Sequence, residues 1–191
     1  MAGEWAGELH TVGIRARHLP AGVISERAGY VIMAGLAGGL DRSLRCGDIV
    51  VDGSVELATC GLPFRFGGIH TSGELVARPE QKATLFRQTG ALAVEMENAV
   101  VRQAAAAAGV PFVGVRAVCD TADEAVDPAV LDFIDDVGQV RLGAMAAGLL
   151  RRPRLVAEIW RLADRSKRAA TCLGEAVRAI ADRLRARAVG R

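Results

Sequence analysis

The sequence predicts an α/β fold, because two strand-like apolar runs flank an alanine-rich helical stretch within residues 91–123. Each run also ends in acid. Ala91–Met96 delivers Glu95 and Glu97, and Pro111–Cys119 delivers Asp120 and, slightly later, Asp123. The helix Asn98–Ala108, closed by Gly109, joins the two strands. A strand–helix–strand unit of this kind favours parallel strands, whose C-terminal ends open on one edge where ligands bind. Both acidic ends are therefore expected on the same sheet edge.

The rest of the chain is read in order. Leu9–Arg17 alternates apolar and polar residues late on and predicts a short, half-exposed strand. Pro20 and Gly22 mark a turn, with room for a brief helix in Ala21–Arg27. Tyr30–Ala34 is a continuous apolar run, as in a strand buried on both faces. It enters a glycine turn, Gly35–Gly39, where glycine would let a ligand approach the backbone. Asp41–Leu44 is a turn, and Gly47-Asp48 leads into the strand Ile49–Val51. Gly53–Ile69 is loop around a short strand, and Ile69–Val76 is strand then turn. Arg78–Thr89 is an amphipathic helix with Pro79 at its start, Ala83, Leu85 and Phe86 on its apolar side, and Gly90 ending it. Pro128–Asp136 begins with a helical pattern, Val140–Leu150 is a helix rich in small residues, and Arg151–Pro153 breaks it. Leu155–Arg187 continues as one long helix or two consecutive ones, with Leu155, Ile159 and Leu162 on one face.

Composition bounds the function. The 191 residues suit one domain, 1–150, with a helical extension, 151–191, packed on it. Hydrophobic residues are 51% and aromatics only 4%, so Ala, Val and Leu must fill the core. Residues 151–191 carry twelve Lys or Arg against four Asp or Glu, whereas 1–150 carry twelve against eighteen. The tail is basic and the body acidic, which reads first as a solvated helical face. Cys46, Cys60, Cys119 and Cys172 show no paired spacing, and with three isolated histidines they make no zinc set. With neither a signal-peptide pattern nor a membrane-length apolar run, a reduced, cytoplasmic protein is expected.

Arg116 interrupts an otherwise apolar strand, and a buried guanidinium needs a partner. Glu95 and Glu97 are the candidates, and Glu95 is assigned that neutralising role. Glu97, opening a helix, is suited to accept both hydrogen bonds of a ribose cis-diol. Asp120 could protonate a departing nitrogen base, provided it holds its proton near neutrality. Asp123 reads as a loop or capping residue.

Three segments together resemble the purine nucleoside phosphorylase and methylthioadenosine nucleosidase superfamily: AGLAGGLDRSLRCGDIVV from Ala34, VEMEN from Val94 and VRAVCDTAD from Val115. The resemblance implies a single-domain, three-layer nucleoside-phosphorylase-like fold, a central mixed sheet flanked by helices, with an abbreviated N-terminus. It implies Asp120 as acid at the purine, Glu97 on the ribose hydroxyls and Met96 packed beneath the ribose. Backbone at Gly35, Ala37 and Gly38 would border the sugar or nucleophile, and Val76 would lie near the base. TGALAVEMEN and the ending GLLRRPRLVAEIWRLADRSKRA are most similar to hopanoid-associated phosphorylase-like proteins, which implies a purine nucleoside or an adenosyl lipid as substrate. No cofactor is implied beyond inorganic phosphate as a candidate co-substrate, and no nucleic acid. A homo-oligomer is expected by resemblance; were the substrate a hopanoid, Arg151–Arg168 could lie against an anionic membrane surface with Trp160 and Leu162 facing the lipid, although packing on the domain is the preferred reading of the same apolar stripe.

The sequence departs from the family pattern. The family usually begins with a strand and glycine loop carrying a Glu or Arg that handles water or phosphate; here the N-terminal stretch is short and its residues do not identify that Glu or Arg. Leu36 stands where the glycine turn often has Ser, and the region from Val51 to Ile69 is short. Arg15, Arg17 and Arg45 are candidate phosphate contacts, although an exposed, solvated arginine is the preferred reading for each. Phosphorylase, hydrolase and non-catalytic nucleoside binder all remain open at this level.

Overall fold

The structure, a computed structural model, describes residues 8–53, 63–129 and 154–189, with the side chains of the last helix described over 159–186. The expected helix Val140–Leu150, the break at 151–153, most of Pro128–Asp136 and the side chain of Leu155 lie outside these residues.

Two nine-residue strands form the centre. β1 (Val31–Gly39) and β6 (Phe112–Asp120) pair in parallel, from Val31 opposite Phe112 to Gly38 opposite Asp120. β2 (Ile49–Asp52) runs antiparallel to β6 and parallel to the short β3 (Arg65–Phe66). On the other side β5 (Ala93–Glu95) runs antiparallel to β1 and parallel to β4 (Ile69–Thr71). The result is one mixed, six-stranded sheet in the order β3-β2-β6-β1-β5-β4.

Side-chain alternation sorts the two faces. Val113, Val115 and Ala117 of β6, with Ile49 and Val51 of β2, meet Ala169, Ala176, Ile180 and Leu184 of α3 (Arg154–Val189). The helical spacing of those four residues, two of them alanine, lets one unbroken helix lie close along the sheet. The opposite face carries α1 (Pro79–Thr89) and α2 (Asn98–Ala107), with Val101 of α2 packed near Met33 and Phe112. The architecture is α/β in three layers, helix–sheet–helix. Gly90 (φ 65°) and Gly109 (φ 68°) end α1 and α2 in the left-handed conformation that glycine adopts without strain.

Four expectations are corrected. Leu9–Arg17 is not a strand: Gly13, Arg15 and Ala16 all have positive φ around a 3-10 turn at Ile14–Ala16, a geometry no strand tolerates. Its apolar residues Val12 and Ala16, with Leu19 just beyond it, pack near Met33 and Val101 instead of joining the sheet. Ala21–Arg27 forms turns rather than a helix, closed by Val23 N–H to Pro20 O and Ala28 N–H to Ser25 O. Gly35–Gly39 is not a turn but the second half of β1, with Gly35–Gly38 paired to β6 and Gly39 to Ala93 of β5. Finally, β5 and β6 are not parallel neighbours. β1 lies between them and β5 is reversed, so their C-terminal ends point to opposite sheet edges.

The glycines of β1 have another purpose. A Cβ on Gly35 would collide with Nη1 of Arg116, whose guanidinium crosses this strand. A Cβ on Gly38 would stand 3.1 Å from Oδ2 of Asp120. Glycine is needed here for close approach, not for a turn. Gly35→Ala is therefore expected to cost about 1–3 kcal/mol through overpacking. Gly73→Ala, where a Cβ meets nothing within 4 Å, should stay within about 0.5 kcal/mol. Urea denaturation of the two variants checks the contrast.

Candidate active site

Two polar clusters stand on the α1/α2 face of the sheet. Arg116 and Asp120 are four residues apart on β6, so they share a face about 13 Å apart along the strand. They share a face and not the expected edge.

The first cluster is built on Arg116, which is 2% exposed. Its Nη2 donates to Glu95 Oε2 at 2.5 Å and to Asn98 Oδ1 at 2.7 Å. Glu95 does more than neutralise it. The same Oε2 accepts the N–H groups of Glu97 and Asn98, both at 2.8 Å, which caps α2 with an anion. Its Oε1 accepts the Thr71 hydroxyl at 2.5 Å. Both oxygens of Glu95 are thus engaged, and the carboxylate is structural. Among the described residues, Asn98 Nδ2 and Arg116 Nε have no hydrogen-bond partner.

Glu97 is held more lightly. Oε1 accepts the backbone N–H of Arg15 at 3.1 Å, and Oε2 lies 3.5 Å from Arg116 Nη2. Burial pushes its carboxyl above the usual range, an effect opposed by the Arg15 N–H and by the positive charge of Arg116. A carboxyl raised in the folded state stabilises the fold most below its ordinary value of 4.5 and loses that contribution as pH rises through its folded value. Glu97→Gln should thus gain stability relative to wild type between pH 4 and pH 7, as read by thermal melts at the two pH values. Equal differences at both would contradict the burial effect.

The second cluster is Asp120 with Lys82. Lys82 has no exposed surface, and its ammonium uses all three protons: Asp120 Oδ2 at 2.5 Å, Thr121 O at 2.7 Å and Glu124 O at 2.9 Å. Asp120 Oδ1 accepts the Cys119 thiol at 3.0 Å. Burial and the Asp120 charge hold that thiol well above its ordinary value, so it remains a proton donor. The pairing of β1 with β6 shifts register between Ala37 and Gly38, leaving Cys119 as the extra residue of β6 and bringing Gly38 opposite Asp120.

Lys82 was legible but overlooked. It falls three and four residues before Leu85 and Phe86, so the apolar stripe of α1 turns it inward. A lysine in a first helical turn also opposes the helix dipole. Such a placement asks for a nearby anion.

The other expected residues divide. Ala37 lies in the apolar layer with Val118 and Ala93, between the two clusters. Val76 packs near Val94 and Leu40, and Val94 in turn adjoins Gly38. Met96 is half-buried between Glu95 and Glu97. The open side of Gly35 is filled by Arg116. Leu36 faces α3 with the core on the far side of the sheet, so its lack of a hydroxyl does not bear on this face. Arg45 Nη1 donates to the carbonyls of Arg42 and Leu44, Arg15 and Arg17 are exposed, and Asp123 forms an exposed pair with Arg42. Among the described residues no group of three or more His, Cys, Asp or Glu could hold a metal ion.

Residues 52–151 match the family model described as the phosphorylase superfamily. The chain belongs to the phosphorylase superfamily. The matched span contains Lys82, Glu95, Glu97, Arg116 and Asp120, so both polar clusters belong to the superfamily segment. Similar solved structures include an S-adenosylhomocysteine nucleosidase from Streptococcus pyogenes in complex with 5-methylthiotubericidin (27% identity, TM-score 0.43), which covers 51% of this chain and 57% of its own. A putative methylthioadenosine nucleosidase from Weissella paramesenteroides is 26% identical (TM-score 0.44), covering 55% of this chain and 62% of its own. A futalosine hydrolase mutant from Helicobacter pylori is 22% identical (TM-score 0.42), covering 61% and 65% respectively. This superfamily chain thus spans 57% of the first protein's length and 62% of the second's.

Proposed function

We propose that the chain cleaves the N-glycosidic bond of a purine nucleoside, free or carried on an adenosyl lipid. The observation that carries this reading is the pair of carboxylates, Glu97 and Asp120, on one face of the sheet within a superfamily segment. As the bond from C1′ to the purine breaks, its electron pair passes to the base and positive charge grows on the sugar. Asp120, protonated from solvent before the base departs, delivers that proton to the leaving purine, which leaves as the neutral base. Oδ2 is engaged by the Lys82 ammonium and Oδ1, among the described residues, only by the weaker Cys119 thiol, so Oδ1 is the oxygen that meets the purine. Glu97 holds the ribose hydroxyls and stabilises the sugar cation electrostatically, the more so because it is shielded from water. Water, which gives up a proton to solvent, or phosphate then adds at C1′. Met96 lies beneath the sugar, Ala37 and Gly38 form its floor, and Val76 borders the base.

One observation favours a second reading. Asp120 is already neutralised by Lys82, as in a site that binds a nucleoside without turning it over. Incubation with adenosine, methylthioadenosine and an adenosyl lipid, with and without phosphate, decides between them. Release of free adenine supports cleavage, and its phosphate dependence separates phosphorolysis from hydrolysis. Tight binding with no free base after long incubation supports the second reading.

Membrane contact through α3 is a minor proposal. Trp160 is 73% exposed there, although Arg165 and Arg168 are paired with Glu124 and Asp164. Salt-insensitive or absent binding to anionic vesicles dismisses it.

A further inference from the structure

A buried lysine with three acceptors is an expensive arrangement unless the fold has a use for it, because an ammonium leaves water only when fully compensated. Lys82 is fully compensated, and each of its three bonds touches the same short stretch: Asp120, Thr121 and Glu124. The turn that follows β6 is therefore tied to the first turn of α1 through one side chain. The turn is closed further by Thr121 N–H to Glu124 Oε2 at 2.9 Å, and Glu124 is paired with Arg165 of α3. Gly38 on the neighbouring strand supplies no side chain, and Val94 of β5 is apolar. Among the described residues, the charged or titratable groups facing Asp120 are thus Lys82 from α1 and Cys119 from β6.

We propose that Lys82 is a positioning residue for Asp120, clamping Oδ2 so that Oδ1 is presented to the purine. The inference rests on the cleavage reading above and deepens it. Lys82 does not touch the substrate. It fixes the carboxylate rotamer and, through the two carbonyls, the turn on which Asp120 stands.

A residue that acts only through Asp120 has a kinetic signature. Lys82→Met and Asp120→Asn should each lower kcat about 100-fold or more, with KM for adenosine changing far less. The double variant should be no slower than Asp120→Asn alone, because the second change removes nothing further. The double variant also relieves the uncompensated charge that either single change leaves, so it remains measurable if Lys82→Met is poorly folded. Lys82→Arg, which keeps the cation, should recover part of the lost kcat. A lysine with only a structural role would instead give losses that multiply in the double variant, and that outcome overturns the inference while leaving cleavage standing. If wild type binds adenosine without releasing adenine, cleavage fails, and the same cycle read on Kd decides the role of Lys82. Additive losses there, or no adenosine binding by wild type, overturn it too.

Discussion

Asp120→Asn is expected to lower the rate of purine release about 100-fold or more, the usual contribution of a positioned acid. The substitution keeps the shape of the side chain and an oxygen for Lys82, so the packing beside Gly38 survives. What it removes is the dissociable proton and the negative charge. Lys82 is then a buried cation facing an amide and two carbonyls, and some loss of stability accompanies the change. Circular dichroism and a thermal melt of the variant separate that loss from the kinetic one. Unchanged turnover in a folded Asp120→Asn protein would remove Asp120 from the chemistry.

The largest effect on stability is expected from Arg116→Met. Removing one partner of a buried ion pair costs about 3–5 kcal/mol, because the other charge is left uncompensated. Glu95 would retain Thr71 and the α2 N–H groups as donors, which favours the lower end of that range. Glu97 would lose the positive charge nearest to its Oε2. Adding Glu95→Gln should recover part of the cost, since it removes the stranded charge, and urea denaturation of both variants reads the difference. A loss below about 1 kcal/mol, the size of an exposed pair, would contradict the account of Arg116 as the centre of this cluster.

Local pattern made much of this visible. The apolar runs placed β1, β2, β5 and β6, and the terminal glycines placed the ends of α1 and α2. Pairing of Arg116 with Glu95 followed from charge alone, because a guanidinium on a buried strand has few ways to be satisfied. Strand direction did not follow. Nothing in Ala91–Asp123 reveals that β1, sixty residues earlier in the chain, inserts between the two acidic strands and reverses one of them. That non-local pairing turned a shared edge into a shared face. The glycines of β1 were misread for a related reason: what requires them is Arg116 and Asp120 on another strand. Strand alternation sends Leu36 toward α3, which a turn over residues 35–39 would not require. Lys82 lies within the apolar stripe of α1, whose hydrophobic pattern marks only its apolar members.

The phosphorylase superfamily segment thus carries two linked acids, one secured by Glu95 and Arg116 through the start of α2 and the other by Lys82 through the turn after β6. The most direct measurement of the central claim is free adenine released from adenosine, methylthioadenosine or an adenosyl lipid by the wild-type chain. The account predicts release from at least one of them, abolished or nearly so in Asp120→Asn. No adenine from any of the three, with phosphate present or absent, would contradict it.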